Sequence, residues 1–275
     1  MKNNWKHKFR TEELKIIFKN CPEKFFNDGL ELGAGSGAQT DSLFKYCKNL
    51  TSSDFDEKRF NIKELKKKNN LISYAICDAE NVASHYKENS IDLVYSSNLM
   101  EHLPDPDESF GQIKRVLKED GFSISTMPSF FMKLLYLLFF YPALIISLYI
   151  KLKKYIFYKS TKVSEDKIQK SNNLVHDNNL KFVKKKKTKL SRLFPEPHGA
   201  NSSNLVELFA WRKKKWIKII ENQNLRVIKT IKLPVTTGYS FKLPILCNIL
   251  YKIGFCSSYC YVAVKNKNNP HSSYF

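Results

Sequence analysis

Apolar positions along the chain fall into short runs that end at polar or acidic residues. Leu30 to Leu32, Asn49 to Asp54, Leu71 to Cys77, Ile91 to Ser97 and Gly121 to Met127 each read as a strand, with helix-compatible stretches between them. Leu225 to Leu233 and Ser258 to Lys265 read as a sixth and a seventh strand. Leu205 to Asn222, carrying Trp211 and Trp216, reads as a helix leading into the sixth. Strands alternating with helices predict an α/β chain. One segment breaks the pattern: the 17 residues Leu134 to Ile150 carry no charge and are followed by Lys151, Lys153 and Lys154. As a helix they reach about 26 Å, just short of the roughly 30 Å hydrocarbon core of a bilayer. A single crossing would also put strand five in a different compartment from strands six and seven. Pro142 is therefore expected to bend the segment into a re-entrant or surface-lying hairpin, with an apolar lid on the fold as the other reading.

The first strand runs into Glu31-Leu32-Gly33-Ala34-Gly35-Ser36-Gly37. Glycines accept positive φ and let the main chain approach a ligand, while the free N–H groups of a following helix face it. The spacing is G-x-G-x-G, not the G-x-G-x-x-G of a dinucleotide pyrophosphate turn, and this favours S-adenosylmethionine over NAD. About 20 residues later strand two ends at Asp54, where a carboxylate can accept ribose hydroxyls, and Phe55 follows, able to lie against adenine. Strand three ends at Asp78-Ala79. Acids thus mark the carboxyl ends of successive strands, the rim where open α/β sheets bind ligands.

These residues, together with Ile91-Asp92-Leu93-Val94, Asn98 to Pro106 (Asn-Leu-Met-Glu-His-Leu-Pro-Asp-Pro) and Ile113 to Gly121, resemble a class I S-adenosylmethionine-dependent methyltransferase of the type 11 group. The likeness spans roughly residues 25 to 128. It implies a Rossmann-like seven-stranded sheet with an apolar and basic insertion between strands five and six. It also implies that Gly33, Gly35 and Gly37 pass under the methionine part of S-adenosylmethionine, that Asp54 holds the ribose and that Asp78 holds the adenine amine. Glu31, Phe55, Ala79 and Ser96 complete the expected cofactor set. Glu119-Asp120-Gly121 stands where the family usually has Pro-Gly-Gly, a departure expected to alter only the turn into strand five.

Charge divides the chain. Residues 1–150 hold 20 basic and 20 acidic side chains, so the whole formal excess of +20 lies in residues 151–275. A lysine-rich genome acts on both halves and does not explain the asymmetry, which suggests a membrane surface, a nucleic acid or an anionic substrate near the second half. Ser160 to Lys189 is poor in apolar residues and reads as a mobile basic insertion. It has none of the interleaved aromatics that stack on bases, which argues against a nucleic-acid partner. The 275 residues then read as one domain: core motifs over 25–128, a membrane-interface segment over 130–155, the basic insertion over 156–195, and a helix with strands six and seven over 200–266.

The six cysteines form no C-x-x-C pair and read as reduced packing residues of a cytosolic protein; the scattered histidines offer no metal cluster. Met1 to Arg10 lacks the apolar core of a secretory signal. A sulfonium methyl is already activated, so the chain must align an acceptor, exclude water and, for a hydroxyl, remove a proton. His102 and His198 are the candidate bases. Ser96-Ser97-Asn98-Leu99 is not the Asn/Asp-Pro-Pro-Tyr/Phe segment of enzymes that methylate adenine or glutamine nitrogens. The apolar insertion, the Pro-His-Gly loop and the late tryptophan helix loosely resemble bacterial methyltransferases of surface polysaccharide or lipid pathways. The expectation is methyl transfer to a small-molecule, glycan or lipid-linked acceptor by a protein peripherally or monotopically bound to the cytoplasmic membrane face. A quinone-precursor methyltransferase and a non-catalytic cofactor-binding partner subunit are the alternatives.

Overall fold

Seven strands pair in the order β3-β2-β1-β4-β5-β7-β6, all parallel except β7. They are β1 (Phe26–Leu32), β2 (Cys47–Asp54), β3 (Ser73–Ile76), β4 (Ile91–Ser97), β5 (Leu117–Pro128), β6 (Arg226–Lys232) and β7 (Ser258–Val264). This computed structural model describes residues 2–161, 194–197, 203–236, 243–266 and 268–275. The helices are α1 (Lys2–Ile17), α2 (Thr40–Phe44), α3 (Ile62–Lys68), α4 (Pro106–Val116), α5 (Phe130–Thr161), α6 (Asn204–Ala210), α7 (Lys213–Asn222) and α8 (Pro244–Lys252).

Adjacent strand residues point to opposite faces, so a strand apolar throughout needs cover on both. In β4, Val94 joins a core with Phe110 and Ile113 of α4 and Trp216 and Ile220 of α7. Its neighbour Leu93 joins the opposite core, with Leu14 and Ile17 of α1, Leu43 of α2 and Phe122. The two halves of the chain thus share one sheet, β6 and β7 extending it beyond β5. Polar signals set the helix starts: Asp105 caps α4 by accepting from the Glu108 N–H at 3.0 Å, with Pro106 next in line.

Three expectations are corrected. The helix expected over Leu205–Asn222 is two, α6 and α7, broken at Trp211-Arg212. In one continuous helix Trp211 and Trp216 would lie roughly 140° apart; the break lets both be buried, at 3% and 4% exposure. The hairpin expected at Pro142 is absent, and α5 runs through the proline. Ending the helix there would strip further backbone groups of partners amid apolar side chains, a larger loss than the one donor proline lacks. Glu119-Asp120-Gly121 is no turn ahead of β5 but an irregular stretch within it, where pairing jumps from Ile91 with Leu117 to Leu93 with Phe122. The proposed mobile insertion falls almost wholly outside the described residues, as does His198.

Because β1, β2, β4 and β5 are parallel, their carboxyl ends form one rim. Chain direction places more there: α5 leaves the end of β5, and α8 lies between the end of β6 and the start of antiparallel β7.

Candidate active site

The glycine turn follows β1 with Gly33, Gly35 and Gly37 all at positive φ (69°, 59° and 69°), conformations that a side chain would strain. The turn is pinned from β2. Asp54, 5% exposed, accepts from the Gly35 N–H at 2.7 Å through one oxygen and from the Asp56 N–H at 3.0 Å through the other. A carboxylate has about four acceptor positions, so Asp54 keeps capacity for two hydroxyls while holding the turn. Phe55 beside it is 63% exposed. The Cys77 N–H donates to the Asp54 carbonyl at 3.2 Å, which sets Asp78 and Ala79 next to the end of β2; Asp78 is exposed and accepts from the Glu80 N–H.

Glu31 lies under the turn and is fully buried. One of its oxygens accepts from the hydroxyls of Thr40 and Ser52, each at 2.7 Å, and the other has no partner. Burial raises its pKa, and the two hydroxyl bonds counter that only in part. A buried carboxylate oxygen left open beside a glycine cradle is what an ammonium-bearing ligand such as S-adenosylmethionine would satisfy. Asp54, Glu31 and the glycines therefore fit that cofactor. Ser96 is also buried, but its hydroxyl bonds Ser125 at 2.9 Å across the β4–β5 pair.

Beyond β4 the chain turns at Asn98, whose φ of 48° is one that asparagine tolerates better than most residues. The next turn, Met100–His102, carries Glu101 and His102. His102 is half exposed; its Nε2 stands 3.8 Å from Oε1 of the buried Glu101, beyond a hydrogen bond but within ion-pair reach. The second Glu101 oxygen has no partner, and burial pushes this carboxyl up to about 8, against weaker opposition from its backbone and from Arg10. The structure thus brings His102 to the rim.

It also brings residues the sequence reading passed over. Arg10 of α1 donates to Glu13 at 2.7 Å and to the Ser97 hydroxyl at 3.3 Å, and with the Asn98 amide turned to suit both groups, to its oxygen. On the other side Lys133 of α5 and Glu207 of α6 form a fully buried ion pair, and Lys133 also donates to Asn204 at 2.7 Å. The only sequence signal for Glu101 was its place beside His102. Lys133 and Glu207, 74 residues apart, had none.

The sheet order and its helical layers are those of the class I methyltransferase fold. Residues 30–125 match the model of the family described as "Methyltransferase domain". The same fold is seen in the methyltransferase of the complex with the Haloferax volcanii Trm112 methyltransferase activator (TM-score 0.56, 11% identity, 97% of this chain and 94% of that one). It is seen too in a SAM-dependent methyltransferase from Aquifex aeolicus (TM-score 0.50, 11% identity, 94% and 90%). A search of the curated proteins found no match.

Proposed function

We propose that the chain is an S-adenosylmethionine-dependent methyltransferase acting on a small-molecule, glycan or lipid-linked acceptor at the cytoplasmic face of a membrane. The observation that carries the cofactor assignment is the G-x-G-x-G turn pinned through Gly35 to a buried Asp54 that keeps acceptor capacity, with the open oxygen of Glu31 beneath it. When bound, the cofactor supplies an activated methyl group. The residues that would hold it are Glu31, Gly33, Gly35, Gly37, Asp54, Phe55, Asp78, Ala79 and the main chain at Ser96.

The acceptor then lies over the ends of β4 and β5, between α1 and the turn of Glu101 and His102. Arg10–Glu13 and Lys133–Glu207 are self-paired, whereas one buried oxygen of Glu101 has no donor. Such a site suits a group offering an O–H or N–H donor. For a hydroxyl, His102 accepts the proton at Nε2 as the methyl arrives, and the adjacent Glu101 carboxyl stabilises the imidazolium when it is ionised. His198 is the other proposed base.

The membrane reading is supported by α5. Residues Phe130–Lys153 have a mean hydropathy of 1.9 and only 11% of the apolar window is covered by the rest of the chain.

Calorimetric titration tests the cofactor assignment. Asp54→Ala removes acceptors worth about 1.5–3 kcal/mol each and loosens the turn, so S-adenosylmethionine affinity is expected to fall at least ~10-fold. Asp54→Asn, which keeps one acceptor, should lose less. Unchanged affinity in Asp54→Ala, or preference for NAD, overturns the assignment.

A further inference from the structure

Helix α8 has no buried residue. Ile245, Ile249 and Ile253, one turn apart along one face, are 77%, 51% and 65% exposed. Yet the helix is not loosely attached. Tyr251 donates to the Lys232 carbonyl at 3.1 Å, and just beyond the helix Phe255 stacks on Phe131 at the root of α5, with ring centroids 4.3 Å apart. Ser129, the residue before α5, donates to the Cys256 carbonyl at 2.5 Å. The segment that follows α8 is thus fastened to the root of α5, at the rim that carries the glycine turn. Short α6, tied to α5 through Lys133 and Glu207, adds exposed Leu205 and Phe209.

We infer that α8 is a second membrane-docking element, which with α5 seats the carboxyl rim of the sheet against an anionic bilayer. The inference rests on the membrane reading of α5 and adds to it the orientation of the catalytic face. A bilayer is the occupant because α5 is apolar on every side from Leu134 to Ile150, whereas a protein groove covers one face of a helix. Lys151 and Lys153 directly after that stretch, and the charge excess confined to residues 151–275, match anionic headgroups. The helix does not cross: both of its ends lead back to strands of one sheet. With the rim against the headgroups, an acceptor anchored in the lipid reaches the site without leaving the membrane.

The test is co-sedimentation of the full chain with vesicles of phosphatidylcholine alone and with roughly one-third phosphatidylglycerol. The native chain should bind the anionic vesicles more tightly. Replacing Ile245, Ile249 and Ile253 by Ser should weaken that binding at least ~10-fold while leaving S-adenosylmethionine affinity unchanged, since the three side chains support no core. Independently, Ile249→Trp should fluoresce from within the bilayer and be quenched by brominated phosphatidylcholine. If the isoleucine variant binds within about twofold of native while Leu137→Ser, Phe140→Ser and Ile145→Ser detach the chain, α8 plays no part and the α5 reading stands. No binding by the native chain overturns both. A native dimer that the isoleucine variant dissociates assigns the face to a second copy, and the inference fails.

Discussion

The two sides of the carboxyl rim solve the problem of exposed groups in opposite ways. Around the glycine turn nearly every polar group is committed: Asp54 to two main-chain N–H groups, Glu31 to two hydroxyls, Ser96 to Ser125. The two open carboxylate oxygens, on Glu31 and Glu101, lie where ligands are expected. Around α5 and α8 the polar groups are equally settled at the root, through Lys133–Glu207 and Ser129–Cys256, but the apolar surface above them is left uncovered. The first side is completed by a small ligand that brings charge and hydrogen bonds. The second presents the kind of apolar surface that marks interaction sites.

The largest effect is expected where the second side is fastened to the first. Glu207→Ala leaves the Lys133 ammonium buried without its carboxylate, which costs about 3–5 kcal/mol. Denaturant unfolding should show it, and a cost below about 1 kcal/mol would mean that the pair is hydrated and that α6 is not anchored as described.

His102→Ala addresses the first side. A positioned base contributes about 10²–10⁴-fold, whereas a half-exposed histidine with no chemical role should barely alter the rate. Single-turnover methyl transfer at saturating cofactor and acceptor, alongside thermal stability, separates the two. A loss of a few-fold only, in both His102→Ala and His198→Ala, leaves alignment as the source of catalysis and points to a carbon acceptor or an already acidic hydroxyl.

The smallest effect, taken per pH unit, sharpens the contrast between committed and open carboxylates. In the folded chain burial keeps Glu101 protonated up to about 8, whereas in the unfolded chain a glutamate ionises near pH ~4.3. Between these values the folded state holds the extra proton, so this group's stabilising contribution is full at the acid end and declines as pH rises toward 8. The slope is at most ~1.4 kcal/mol per pH unit. Unfolding free energy measured across that range should fall less steeply in Glu101→Gln than in the native chain. Parallel curves would place Glu101 in water and remove it from the site.

Much of this protein was legible along the chain because its determinants are local. The strand positions followed from runs of apolar residues, β4 falling on Ile91–Ser97 as read, and the cofactor turn from glycine spacing and an acid about 20 residues on. The apolar helix was legible from the lack of charge between Leu134 and Ile150. Other features depend on residues far apart meeting in space, and only the tertiary structure decided them. The split of α6 from α7 came from the need to bury two tryptophans that one helix would point apart. The continuity of α5 through Pro142 was not legible from the proline itself, which the sequence reading took as a bend. Arg10 reaches Ser97 from 87 residues away, and Lys133 meets Glu207 across 74, contacts with no local pattern behind them. The exposure of α8 belongs with these: whether an apolar stripe meets a core or a solvent boundary is settled by where the sheet leaves it.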